Sequence, residues 1–243
     1  NGRVVQVDHN PMPGGGYVAT YTDITERKQT EARMRHLAVH DVLTSLPNRT
    51  LFLDRLRQAL LSARRFQRGV TVLFVDLDRF KDINDHFGHD VGDLMIQEMG
   101  QRLSRIIRDS DTAARLGGDE FAIIQTDVQN IEDTIALAQR IIDELCQPFD
   151  CRGIRLHSTA SVGITLFPED GENPEQLVKN ADMAMYAAKA EGRNNYRFFL
   201  PSMHERVKER KTIEEDLRNA LEYDQLELYY QPKIDCRTER VVG

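Results

Sequence analysis

Cysteine is scarce in this chain: Cys146, Cys151 and Cys236 are the full set among 243 residues. An odd, sparse set without metal-ligand spacing excludes a disulfide framework and a cysteine-built metal site, and points to a reducing compartment. Cys146 is expected on a helix, as a small hydrophobe. Long apolar runs are missing too, since nothing approaches the roughly 20 residues that cross a bilayer. The segment is therefore expected to be cytoplasmic, with any membrane anchor lying elsewhere in a longer parent. Positive charge is in deficit: 32 Lys and Arg against 39 Asp and Glu leave a net charge of -7. That balance gives no footprint for non-specific nucleic-acid binding. A Gly-rich Walker-type lysine loop is absent, which excludes an ATPase of that class. The opening Asn1-Gly2-Arg3-Val4 has neither an initiator Met nor a signal-peptide pattern, so the chain reads as a piece of something longer. Asn48-Arg49-Thr50 matches a glycosylation sequon, which carries no meaning in the cytosol.

What is present describes a folded protein. Hydrophobic residues make up 40% and charged residues 29%, the balance of a soluble globular chain. The length allows one full domain with a sizeable core and pieces of others. Residues 1–23 carry short β-like runs around Pro11-Met12-Pro13-Gly14-Gly15-Gly16, a hairpin too small to bury a core alone. A polar helical stretch from Asp23 to about His40 has sparse apolar positions (Ile24, Met34, Leu37), as in a signalling or dimer-forming linker. A new domain begins near Asp41. Helical periodicity runs from Asn48 to Arg65, then come a buried strand from Val70 to Asp76, a helix-prone segment to Phe87 and a helix from Val91 to Ile107. A hairpin around Gly117-Gly118 is followed by a helix from Ile131 to Leu145 and a strand from Leu156 to Leu166. A last helix from Pro174 to Ala190 leads into Tyr196-Arg197-Phe198-Phe199. Strands and helices intermix as in an α/β or α+β sandwich. After Pro201 the spacing suggests a charged helical linker from His204 to Arg210, an amphipathic stretch from Ile213 to Leu221 and a strand over Leu226 to Lys233.

The chemistry gathers in two places. Arg115-Leu116-Gly117-Gly118-Asp119-Glu120-Phe121 sets two glycines and two acids between apolar runs, which reads as a tight hairpin carrying carboxylates at its tip. Alone it is also an ordinary β-turn, because Gly-Gly and Gly-Asp are common turn residues. Upstream, the apolar strand Val70 to Asp76 ends in a carboxylate. If the hairpin neighbours that strand, Asp76, Asp119 and Glu120 can converge, and converging carboxylates repel unless cations neutralise them. Two hard cations there would suit phosphoryl or nucleotidyl transfer. Taken alone, Asp76 and Asp78 also fit caps at a helix start.

These segments together resemble the GGDEF family of diguanylate cyclases, which join two GTP molecules into cyclic di-GMP. The resemblance runs from about His40 to Phe199, roughly two-thirds of the chain. It includes the opening His40-Asp41-Val42-Leu43-Thr44-Ser45-Leu46-Pro47-Asn48-Arg49 and the stretch Phe74 to Asp93. The hairpin and the run Ala181 to Asn194 complete it. It implies an α+β fold, a central mostly antiparallel five-stranded sheet flanked by helices, over residues 41–200. Asp76, the Leu77 carbonyl, Asp119 and Glu120 would hold Mg²⁺, with Mn²⁺ as a substitute. Asp119, Glu120 and Lys81 would serve catalysis, and Asp119 as a base for the 3′-hydroxyl is the weaker of its two roles, because a metal-bound carboxylate has a low pKa. Asn84 and Asp93 would recognise guanine, with His89 in the same pocket or serving as an orienting or structural histidine. Lys81, Lys189 and Arg193 would grip the phosphates, the last two being four apart on one helical face if the helix persists. Without the family, a solvated helix end that favours positive charge explains that pair as well. Arg108-Asp109-Ser110-Asp111 matches the family's R-x-x-D inhibitory product site, with Arg140 a candidate second arginine, whereas a surface Arg–Asp pair is the plain alternative.

The flanks fit the same scheme. Asp23-Ile24-Thr25-Glu26-Arg27 resembles the exit of a PAS sensor domain, making 1–23 its last strands and 24–40 a helical linker. Residues 201–243, with Tyr229-Tyr230-Gln231-Pro232-Lys233, resemble a linker and the truncated start of an EAL phosphodiesterase domain. The implied partners are GTP, cyclic di-GMP at the inhibitory site and a second copy of the chain.

Overall fold

The computed structural model describes residues 2–14 and 17–203, together with 220, 225, 229, 232–238 and 240–241. The chain divides into a unit of Asn1–Leu200 and a second of Pro201–Gly243. Among its described residues the second unit has one isolated bridge, Ile234 opposite Val241. The stretches expected over 204–210, 213–221 and 226–233 lie mostly outside the described residues.

At the N-terminus, β1 (Val5–Pro11) and β2 (Tyr17–Asp23) pair antiparallel, from Val5 opposite Asp23 to Pro11 opposite Tyr17. The Asp23 carboxylate then accepts from the Thr25 N–H at 3.0 Å and its hydroxyl at 2.6 Å, which starts α1 (Thr25–Val39). Met34 and Leu37 on α1 are exposed.

The main domain follows as α2 (Arg49–Phe66), β3 (Gly69–Asp78), α3 (Phe80–Phe87), α4 (His89–Ile106), β4 (Thr112–Gly117) and β5 (Glu120–Val128). It continues through α5 (Ile131–Leu145), the short β6 (Phe149–Cys151) and β7 (Ile154–Leu156), then β8 (Thr159–Phe167), α6 (Pro174–Ala190) and β9 (Tyr196–Phe198). The central sheet has the order β4-β5-β3-β8-β9, antiparallel except for the parallel β8–β9 pair. This is the expected α+β sandwich with five strands.

β3 is central because both of its faces are apolar, so only a strand covered on both sides suits it. Leu73, Val75 and Leu77 enter a core with Met95, Ile96 and Met99 of α4 and Leu137 and Ile141 of α5. Val72 and Phe74 enter the opposite core with Phe52, Leu56 and Leu60 of α2 and Leu177, Ala181 and Met185 of α6. The period-2 alternation of the strand therefore sorts its residues between two helical layers. Even-numbered residues of β3 share the α2/α6 face, and that face carries Asp76.

Two expectations need correction. The segment expected as one strand from Leu156 to Leu166 is broken at His157-Ser158. Leu156 is buried with Val91 and Cys151, against Leu94 of α4, in a small satellite cluster away from the main sheet. Helix α6 stops at Ala190, and Gly192, Arg193 and Asn194 follow with φ of +114°, +63° and +48°. Lys189 and Arg193 therefore do not share a helical face.

Helix α6 crosses β8 in direct backbone contact at Gly163. A Cβ there would stand 1.9 Å from the Ala181 carbonyl oxygen and 2.2 Å from the Met185 nitrogen. Neither backbone atom can swing aside, so Gly163→Ala must push α6 off the sheet. The expected loss is about 3 kcal/mol or more, in the range of severe overpacking. Urea denaturation followed by far-UV circular dichroism checks this, and an unchanged midpoint contradicts the contact.

Candidate nucleotide and metal site

The site forms at the end of β3. Asp76 lies opposite Glu120 on β5 and opposite Ser161 on β8, so these three residues share one face. Between β4 and β5 the chain turns through Gly118 and Asp119, with φ of +151° at Gly117 and +52° at Gly118. Only glycine adopts such angles without strain.

Arg115 fixes the tip of this hairpin. Its Nε and Nη2 donate to the Gly118 carbonyl at 3.0 and 2.8 Å. Its Nη1 donates to both oxygens of Asp41 at 3.0 and 3.1 Å. Asp41 also accepts from the Thr44 N–H and hydroxyl, each at 2.8 Å. Burial opposes ionisation of Asp41, but the bonds from Thr44 and Arg115 prevail and hold its pKa below the ordinary value. The Arg115 N–H donates to the Pro47 carbonyl at 3.0 Å, which binds the same opening segment to β4. The Asp41–Arg49 motif thus braces the hairpin, while Asn48 caps α2 by accepting from Thr50 and Leu51.

Asp76 is only 6% exposed, and one oxygen accepts from Lys189 Nζ at 2.7 Å. Burial pushes its pKa up from 3.8 to about 6. Lys189 opposes this shift, while the charges of Asp119 and Asp78 add to it. Glu120 is half-buried and is also raised, by burial first and then by Asp182 and Asp119, against Arg49 and Lys189. The acids expected to converge therefore do feel one another. Among the described residues, no group of three or more His, Cys, Asp or Glu stands ready to close around an ion. The donor set nonetheless fits a hard cation: carboxylates under mutual repulsion, one of them held by an ammonium. Leu77 buries its side chain in the α4/α5 core, so only its backbone could serve as a ligand.

The expected guanine pocket lies between α3 and α4. Asn84 Oδ1 is buried without a hydrogen-bond partner. A Cβ on Gly92 would stand 2.0 Å from that oxygen, so the glycine beside Asp93 makes room for the amide. Asp93 and Lys81 are exposed, and His89 is exposed at the first residue of α4. Arg193 lines a cavity of about 650 Å³ together with Asp78, Arg79, Asp82, His86 and His157.

The suggested helix caps are absent: the N-cap of α3 is Arg79, with no side-chain cap bond. Asp78 is 5% exposed and accepts from Thr159, Ser161 and Asn194. Sequence reasoning gave Asp78 only the part of a helix cap and gave Asp182 none. The paired acids Asp76 and Asp78 were the available signal for the first, since residues two apart on a strand share a face.

Arg108 and Asp111 do not form a side-chain ion pair. Asp111 is 8% exposed, and its carboxylate accepts from the Thr126 N–H at 3.1 Å and the Arg108 N–H at 3.4 Å. Arg108 is exposed, and Arg140 of α5 donates to the Ile106 carbonyl beside it. Among the described residues no helix is long and apolar enough to cross a membrane.

A family model described as the diguanylate cyclase GGDEF domain matches residues 38–195, and the chain belongs to that family. A second model, a PAS fold, matches residues 1–32. The bifunctional diguanylate cyclase/cyclic di-GMP phosphodiesterase MucR of Pseudomonas aeruginosa is 44% identical over 219 residues, 90% of this chain and 32% of MucR. The cyclic di-GMP phosphodiesterase NbdA of the same bacterium is 43% identical over 209 residues, 86% of this chain and 27% of NbdA. The chain thus spans about a third or less of these two relatives. The solved GGDEF domain of TpbB from P. aeruginosa shares 39% identity and a TM-score of 0.68, covering 70% of this chain and 99% of that one.

The buried acid gives a stability test. Folded Asp76 holds its proton more tightly than the unfolded chain does, with a pKa of about 6 against 3.8. Stability present at low pH is therefore lost as pH rises through that window, by on the order of 3 kcal/mol. Asp76→Asn never ionises, so without metal it is expected to be more stable than wild type at pH 8 and close to it at pH 4. Chemical denaturation at both values checks this, and a variant less stable at pH 8 contradicts the buried charge.

Proposed function

We propose that residues 41–200 form a Mg²⁺-dependent diguanylate cyclase acting as a homodimer in the cytoplasm. The observation that carries this reading is Asp76, a buried carboxylate answered by Lys189 at the end of the sheet, beside the hairpin acids. Asn84 and Asp93 bind guanine, the orphaned Asn84 oxygen being an acceptor in search of a donor. His89 borders that pocket. Lys81, Lys189 and Arg193 hold the triphosphate, and Lys189 moves from Asp76 to a phosphate when nucleotide enters. Mg²⁺, or Mn²⁺ in its place, would be held by Asp76, the Leu77 carbonyl, Asp119 and Glu120 and would supply neutralising charge for the phosphates.

The 3′-hydroxyl oxygen of one GTP attacks the α-phosphorus of the other; the bond from that phosphorus to the bridging oxygen breaks, and pyrophosphate leaves. The hydroxyl proton passes to water, because hairpin acids held to a metal are weak bases, and Glu120 serves catalysis as a metal ligand. Repeating the step with roles exchanged closes the ring. Each protomer supplies one nucleotide, so turnover requires a two-fold pair, with α1 as the element that brings the copies together.

Cyclic di-GMP would inhibit by binding at the Arg108 turn. There the Arg108 and Arg140 guanidinium groups donate to guanine edges or phosphates, and the buried Asp111 shapes the turn.

A second reading is favoured by NbdA, a similar protein named as a phosphodiesterase. In it the domain binds GTP without turnover and regulates an adjoining EAL phosphodiesterase. Incubating the dimeric protein with GTP and Mg²⁺, then separating nucleotides by chromatography, is expected to yield cyclic di-GMP. GTP binding without product supports the regulatory reading instead. Asp119→Ala is expected to reduce turnover by at least a hundredfold, in the range of a lost transition-state contact. Retained turnover with metal still bound overturns the metal assignment.

A further inference from the structure

The segment Gly192-Arg193-Asn194 holds three consecutive residues at positive φ, two of them not glycine. Left-handed backbone costs an ordinary residue about 1–2 kcal/mol, and it persists only where the surroundings over-determine it. The strain needs an anchor. The Arg193 N–H donates to the Ala188 carbonyl at 3.2 Å, which fixes the near side of the turn to α6. The far side is fixed across the sheet: the Asn194 N–H donates to Asp78 Oδ2 at 3.1 Å. The same oxygen accepts from the Thr159 hydroxyl at 2.7 Å, and Oδ1 accepts from the Ser161 hydroxyl at 2.7 Å. One buried carboxylate thus joins the end of β3, the start of β8 and the turn that carries Arg193. No cation is paired with it among the described ion pairs, so its contacts are those of a geometric anchor. Arg79, the next residue, is itself left-handed with φ of +58° and lines the same cavity as Arg193. Asp78 therefore stands between the two strained backbone segments that border this cavity.

We propose that Asp78 is the positioning residue for Arg193, holding the left-handed turn that aims its guanidinium at the nucleotide's phosphates. This rests on Arg193 being a phosphate ligand. In this role Asp78 acts through the Asn194 amide, with no contact to nucleotide required. Asparagine can reproduce the anchor, since its carbonyl accepts from Asn194 and Thr159 while its amide nitrogen donates to Ser161. Alanine cannot.

The test measures affinity for a non-hydrolysable GTP analogue with Mg²⁺ in wild type, Arg193→Ala, Asp78→Ala, Asp78→Asn and the Asp78→Ala/Arg193→Ala double variant. Amide hydrogen exchange at Asn194 is followed in the nucleotide-free proteins. Arg193→Ala and Asp78→Ala are each expected to weaken binding about tenfold, in line with one charge-assisted contact. The double variant is expected to be no weaker than Arg193→Ala, because both act on one contact. Asp78→Asn is expected to bind like wild type, and the Asn194 amide to exchange slowly in both and quickly in Asp78→Ala. If Arg193→Ala leaves affinity unchanged, the phosphate reading falls and the proposal with it. If Arg193→Ala weakens binding while Asp78→Ala does not, or the two losses multiply, the proposal alone is overturned. Should Asp78→Ala fail to fold, Asp78→Asn decides: tenfold weaker binding, or a fast-exchanging Asn194 amide in wild type, overturns the anchor.

Discussion

Asp76 places a carboxylate near the end of the buried run of β3, almost out of reach of water, and Lys189 of α6 is the cation that answers it at 2.7 Å. A charge held this way is costly, because burial raises its pKa while two neighbouring acids push in the same direction. In the proposed function the Mg²⁺ bound with nucleotide is the second cation that this charge would meet. It also requires the rest of the architecture. β3 must be central to bury the acid, α6 must lie close on β8 to bring Lys189 over it, and the hairpin must stand in register beside it. The Gly163 contact and the pairing of Asp76 with Glu120 meet the last two conditions.

The hairpin itself is held from outside. Arg115 links the Gly118 carbonyl to Asp41, and Asp41 lies two residues beyond the end of α1. The tip that carries Asp119 is thereby joined to the first residues of the domain by side-chain bonds that are partly shielded from water. Partly buried charge-assisted pairs of this kind are stronger and less screened than surface pairs. By contrast, Arg57–Glu175 and Arg68–Asp127, with side chains more than half exposed, contribute little to holding the domain.

Much of this was legible in the sequence because it is local. The continuous apolar run of β3 announced a strand buried on both faces, and Gly117-Gly118 announced a turn. Asn48 announced a helix start. The family motifs then supplied Asp76, Asn84, Asp93 and Lys189 as a set. What periodicity could not show depended on contacts distant in sequence. Arg193 would share a face with Lys189 only if α6 persisted, but the chain turns after Ala190 and is bonded there to Asp78, more than a hundred residues earlier. Leu156 alternated correctly for β8 but is buried against α4 instead. Asp111 is expected beside Arg108 in a product site, or as its plain surface partner, yet its carboxylate turns inward to the Thr126 amide on β5. Each of these departures depends on a group that no local pattern names.

The central claim is that Asp76 is a cation site shared in turn by Lys189 and by metal-bound nucleotide. Its carboxyl ¹³C resonance, followed over pH in the free protein and again with Mg²⁺ and a non-hydrolysable GTP analogue, tests this most directly. The expected midpoint is about 6 in the free protein, falling below the ordinary 3.8 once metal and nucleotide are bound. A midpoint that stays unchanged with saturating nucleotide would contradict the account.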